Sequence, residues 1–226
     1  MISDLSCISD YSCFELQDGS SVGFESCQGL YSCQKASSEI LDGACIGEAS
    51  CFESTSGSIA SDSCLSDYSC YQAEVTSILQ GSCHDTSACT SVVADLISED
   101  SCKDGEASCT SAEVGTIGPS SCLGPNACYN FNKEGGSIGV SSSSSGVGRK
   151  LQQGDGDSCT GSASCESASA NIGSGSCKGD ESADNTSACY LAKSNSIGDS
   201  SCLGDYACAE ITGTVGDASC WGEASW

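Results

Sequence analysis

The cysteine period constrains this chain more than any other feature. With the first Cys of each pair as a phase marker, the series runs Cys7, Cys27, Cys45, Cys64, Cys83, Cys102, Cys122, Cys159, Cys177, Cys202 and Cys220, usually 18 to 20 residues apart. Five residues before the marker stands an Ile or Val: Ile2, Val22, Ile40, Ile59, Ile78, Ile97, Ile117, Ile138, Ile172, Ile197 and Val215. The residue before each marker Cys is Ser or Ala, and so is the residue before its partner Cys. Positions that recur in this way belong to stacked coils in which each becomes a column along an axis. Helical repeats need apolar residues at 3.6 spacing over ten or more positions, and no such run exists. β-Branched columns followed by Gly, Ser or Asp fit short strands joined by tight corners. The expected fold is therefore all-β: a parallel β-solenoid, or β-helix, of either hand, forming one repeat domain over residues 1–226.

The 37-residue step from Cys122 to Cys159 reads as hiding one coil without cysteine, with Ile138 as its strand residue and Ser143 in the marker position. That makes about twelve coils of roughly nineteen residues, with Gly154 the one exception to the Ile/Val column. At about 4.8 Å per coil the rod would be about 60 Å long. Residues 141–157 interrupt the pattern with polar low-complexity sequence, read as an irregular coil or solvated loop. A second inserted loop, 181–186, separates Cys177 from Cys189.

The partner cysteine usually follows its marker by six residues: Cys13, Cys33, Cys51, Cys70, Cys89, Cys128, Cys165 and Cys208, with Cys109 at seven and Cys189 at twelve. Parity selects the connectivity. Pairing between neighbouring coils would orphan a cysteine on each of two columns before the gap, whereas pairing within coils orphans none. The apparent Cys-less coil, lacking both positions together, points the same way. Ten within-coil bonds then use twenty cysteines and leave Cys220, whose partner position is held by Trp226. Each bond closes a small loop and contributes about 2 kcal/mol in the chain-entropy model, which a narrow coil with little core needs.

Composition narrows the setting. Twenty-one cysteines in 226 residues imply an oxidising compartment, hence a secreted, extracellular or cell-surface protein. A formal charge of −24, from 31 acidic against 7 basic side chains, excludes nucleic acid and anionic membranes as partners. Cationic partners and divalent ions stay open. No stretch approaches the ~20 apolar residues of a membrane span, so membrane insertion is not expected. Met1 is followed at once by in-phase sequence with no signal peptide, and the chain reads as a mature form, a fragment or one piece of a longer array.

The pattern Cys-x5-Cys-x-x-Ala, seen from Cys33 to Ala36, Cys70 to Ala73 and Cys189 to Ala192, resembles the disulfide-crossed coils of beetle antifreeze proteins. The resemblance covers about half of each coil and implies inward-facing cysteines. It departs at the Thr-Cys-Thr array of that family: here Ser or Ala precedes the marker, and Leu65, His84, Lys103 and Trp221 follow it. Segments such as 197–202 and 203–208 are similar to the hexapeptide repeat of left-handed β-helix acyltransferases, although the third side of each coil breaks that rule. The whole array most resembles the cysteine-rich repeat proteins of diatoms and related algae.

No catalytic constellation is legible. His84 is the only histidine and lies far from Cys220, so neither a nucleophile pair nor a histidine base is expected. Carboxylates recur near one corner at Asp10, Glu48, Asp67, Asp85, Asp104, Asp180, Asp205 and Glu223. Stacked like charges repel unless screened, so they form either a solvated face or oxygen ligands for bridging Ca²⁺. Asn185-Thr186-Ser187 is an N-glycosylation sequon in the second insertion. Tyr11, Tyr31, Tyr68 and Tyr206 share one position and read as either a stacked sugar-binding or adhesive stripe or a partly buried column. The expectation is a non-enzymatic matrix, cell-wall or filament component that self-associates end to end or side to side. The alternative is a flat-face binding module for ice or a polysaccharide surface.

Overall fold

A computed structural model describes residues 1–55, 57–140, 157–179 and 188–222. The described residues carry one parallel sheet of ten strands in sequence order: β1 (Ser21–Val22), β2 (Glu39–Ile40), β3 (Ser58–Ile59), β4 (Glu74–Ile78), β5 (Val93–Ile97), β6 (Glu113–Ile117), β7 (Asn132–Ile138), β8 (Asn171–Ile172), β9 (Lys193–Ile197) and β10 (Thr212–Val215). The ten strands are joined by nine turns of a β-solenoid, and an Ile2–Val22 bridge adds a rung at the N-terminal side. Each Ile or Val pairs with the next, from Val22 with Ile40 through to Ile197 with Val215. A second ladder of single bridges joins the residues after the marker, Lys103, Leu123, Thr160, Lys178, Leu203 and Trp221.

The expected coil count is too high. Ile138 pairs with Ile172, not with a residue near Gly154, and Cys122 donates its N–H to the Ser158 carbonyl while Leu123 bridges Thr160. Ile138 and Cys159 therefore belong to one coil, and no Cys-less coil stands between Cys122 and Cys159. The step from Ile138 to Cys159 exceeds the usual five residues by the sixteen residues 141–156, an insertion within that coil. An insertion that starts and ends in phase looks like a lost repeat when only spacing is read. Corrected in this way, the Ile/Val column has eleven rungs, counting Ile2, with no exception at Gly154. The axis from Ile2 to Val215 is then about 48 Å long, not 60.

The core is a bundle of columns. Ile40, Ile59, Ile78, Ile97 and Ile117 are at most 1 % exposed, and small side chains such as Ala36, Ala73, Ala112 and Ala168 fill the opposite wall. Between them lie ten disulfides, each within a coil: Cys7–Cys13, Cys27–Cys33, Cys45–Cys51, Cys64–Cys70, Cys83–Cys89, Cys102–Cys109, Cys122–Cys128, Cys159–Cys165, Cys177–Cys189 and Cys202–Cys208. Cys220 is free and partly buried.

The corners are tight enough to require left-handed backbone from ordinary residues. Every marker Cys lies there, with φ from 53° to 60°, and so do Tyr11, Glu15, Tyr31, Lys35, Glu53, Tyr68 and Gln72 at the following turns. Each such non-glycine residue costs roughly 1–2 kcal/mol. The cross-links and inter-coil hydrogen bonds offset that cost, which explains why a coil so thin carries a disulfide at almost every turn.

Candidate functional site

The corner between the marker and its partner carries most of the sequence-predicted residues. Asp67 Oδ1 accepts the Glu48 N–H at 2.7 Å and Asp85 Oδ2 accepts the Gly105 N–H at 2.9 Å, so these carboxylates cap backbone donors of the preceding or following coil. Glu48 Oε1 in turn accepts the Tyr68 hydroxyl at 3.3 Å, and that carboxylate pushes the Tyr68 phenol above its ordinary pKa. Asp10 and Asp104 are exposed and Asp205 is half-buried. Asp180, Glu223 and the Asn185 sequon lie outside the described residues, as do residues 141–156 and 181–186 of the two inserted segments. Among the described residues, the sets of three or more potential ligands that converge within 4.8 Å consist of cysteines already joined in disulfides, such as Cys51, Cys64 and Cys70. The acids at this corner are spread along the rod, and Asp67 and Asp85 face backbone donors. Acids on the sheet side do the same, as where Asp199 Oδ1 and Asp217 Oδ1 accept the Ser174 and Asp199 N–H groups. Gly198 is needed there, because a Cβ would stand 2.3 Å from Asp217 Oδ1.

The tyrosine column is a pair and not a continuous stack. Tyr11 and Tyr31 stack at 5.5 Å, but Ala49 interrupts the column before Tyr68, and Tyr206 lies far along the axis. A second aromatic column escaped the sequence reading: Phe14, Phe52, Tyr71, Tyr129 and Tyr190 each follow the second Cys of a pair. The two columns hold all seven tyrosines of the chain and share one long edge. Aligning the tyrosines by phase would have found this. Phe52 and Tyr71 stack at 5.2 Å, while Tyr68 meets Tyr71 and Phe14 meets Tyr11 edge-on.

A polar network borders this edge. Lys35 Nζ donates to Glu53 Oε1 at 2.9 Å and lies 5.9 Å from the Phe52 ring centre, and Gln72 donates to Glu53 Oε2 at 3.1 Å. The hydrogen bond from Lys35 holds the Glu53 carboxyl below the usual carboxylate range, and the same contact raises Lys35. Next to the network an open groove runs along the axis. Its largest hollow, about 880 Å³, is lined by Glu74, Thr76, Val93, Asp95 and Glu113 on β4–β6, with Thr55 at its end. The hydrophobic period carried no sign of this groove, because it forms where the five-residue strands β4–β6 follow the two-residue strands β1–β3.

One helix-free fact bears on the setting: none of the described residues forms a helix long and apolar enough to cross a membrane. No curated protein and no solved structure matches the chain. A family model does, three times, over residues 5–104, 94–182 and 143–225. The overlaps are what a repeat produces, since a model several coils long can begin at any coil in phase. The matches together span nearly the whole chain, which belongs to the family described as domain of unknown function DUF7640.

Proposed function

We propose that this protein is a non-enzymatic, extracellular structural rod that associates through its coils. The observation that carries this reading is the continuity of the columns: the Ile/Val ladder recurs from Ile2 to Val215 and the disulfides from Cys7 to Cys208, so the chain spends its chemistry on stiffness. Ten disulfides support an oxidising compartment. Association is supported by apolar side chains left exposed along the side of the rod, Phe14, Phe24, Leu30, Leu41 and Ile46. The test is electron microscopy and sedimentation of the purified chain over a range of concentrations. The expected result is assemblies larger than one ~48 Å rod, reduced by Ile46→Asp. Strictly monomeric particles at every concentration would remove the reading.

A second reading, ice binding, is favoured by the outward row that precedes the Ile column. Ser58, Ser77, Thr116, Ser137, Ser196 and Thr214 place hydroxyls along the sheet, with Ser58 donating to Ser77 at 3.3 Å. Glu39, Leu96 and Asn171 break the row. Thermal hysteresis with faceted ice crystals would move this reading to first place.

A further inference from the structure

The groove has a charge and a shape that the structural reading leaves unused. Three hollows adjoin one another, sharing Glu53, Thr55, Glu74 and Val93, and follow the axis from Leu16 to Gly115 across six coils, about 24 Å. Five carboxylates line them, Asp18, Glu53, Glu74, Asp95 and Glu113, against one cation, Lys35, which is already paired with Glu53. Val93 is 46 % exposed inside the groove, and the stacked Phe52–Tyr71 pair stands beside the Lys35 rim. The shape asks for an extended chain, the carboxylates ask for positive charge, and apolar surface next to Thr55, Thr76 and Ser91 suits rings that carry both C–H faces and hydroxyls.

We propose that this groove is the docking surface for a linear amine-bearing glycan, a chain of pyranose rings with ammonium groups. Its ammonium groups meet the carboxylates of Glu74, Asp95 and Glu113, while ring hydroxyls bond to the threonine hydroxyls and to remaining carboxylate oxygens. A basic peptide fits less well. Extended peptides dock on sheets by adding to a free edge, and β4, β5 and β6 are each hydrogen-bonded to a neighbouring strand on both sides. Anionic glycans are repelled by the same five acids. This surface lies along the side of the rod, so the proposal holds whether or not rods associate.

The experiment is calorimetric titration of the full chain with three probes: a glucosamine oligomer, the same oligomer fully N-acetylated, and an oligolysine of matching length. The glucosamine oligomer is expected to bind, with the acetylated form at least about tenfold weaker because it has lost its charge. Combining Glu74→Gln, Asp95→Asn and Glu113→Gln should cost at least about tenfold, whereas Asp10→Asn, Asp104→Asn and Glu106→Gln, on another corner, should leave affinity unchanged. Val93→Arg, a single exposed change that places a cation in the groove, should weaken binding too and provides a second test if the triple variant folds poorly. Equal binding of the acetylated oligomer would overturn the proposal. So would equal loss in the two triple variants, or oligolysine binding as tightly as the glycan and lost with it in the groove variant.

Discussion

Two columns of small residues flank the disulfides, and they differ in a way that explains how this solenoid is held together. The column before the marker reads Ser6, Ser26, Ala44, Ser63, Ser82, Ser101, Ser121, Ser158, Ser176, Ser201 and Ser219. The column before the partner Cys reads Ser12, Ser32, Ser50, Ser69, Ala88, Ser108, Ala127, Ser164, Ala188 and Ala207. In the first, hydroxyls tie one coil to the next: Ser176 donates to the Gly198 carbonyl at 2.6 Å and accepts the Ser201 N–H at 3.0 Å, and Ser26, Ser158 and Ser201 repeat the pattern. In the second, the hydroxyls of Ser12, Ser32, Ser50 and Ser69 are buried without a partner among the described residues, and those of Ser108 and Ser164 donate only within their own turn, to the Gly105 and Gly161 carbonyls at 2.9 Å. The backbone accounts for the difference. Second-column N–H groups are bonded by their own turn, as from Ser32 to Gly29 at 3.1 Å and Ala88 to Asp85 at 3.0 Å. In the first column the N–H groups of Ala44, Ser121, Ser158, Ser176, Ser201 and Ser219 instead take the hydroxyl of the coil below. One column needs an oxygen, and the other needs only a small side chain.

Four tests break or sharpen this contrast, the first of them in two forms. The largest effect comes from removing what both columns flank: full reduction cuts ten constraints worth about 2 kcal/mol each before non-additivity, and should unfold or aggregate the chain. Removing the Cys64–Cys70 bond alone by paired Ser substitutions should soften a single coil, as read by hydrogen exchange. Next, Ser176→Ala strips the buried Ser201 N–H of its acceptor and should cost about 1–3 kcal/mol in urea unfolding. A loss no larger than that of second-column variants would dissolve the distinction. Third, Ala44→Ser should gain about 1 kcal/mol, because the added hydroxyl would stand in the serine column, in reach of the Ala60 carbonyl by the phase that the other serines keep. The smallest effect is expected for Ser69→Ala, within about 0.5 kcal/mol of wild type or slightly stabilising, because no bond is lost.

The fold was legible because a solenoid writes each position once per coil. Cysteine spacing and the Ile/Val column announced the parallel ladder; the within-coil disulfides were expected on a parity argument that needs a Cys-less coil, and the structure shows the pairing but not that coil. The coil count was not legible, since an in-phase insertion of sixteen residues mimics a missing repeat and only the Ile138–Ile172 pairing separates the two. The acids near the corner were visible as a column, but their role as acceptors for backbone donors depends on where Glu48 and Gly105 present their N–H groups. The groove was not visible at all, because its lining comes from six coils whose residues share no sequence motif.

By itself the sequence determined the period, the apolar column, the recurrence of two cysteines in nearly every coil and the requirement for Ser or Ala beside each of them. Those are properties of one coil repeated, and steric size within a coil is encoded locally. Only the tertiary structure decided which serines carry hydrogen bonds, how many coils there are, and where carboxylates from different coils line one groove. Each of these depends on the register between coils, where a hydroxyl on one meets an N–H or carbonyl on the next.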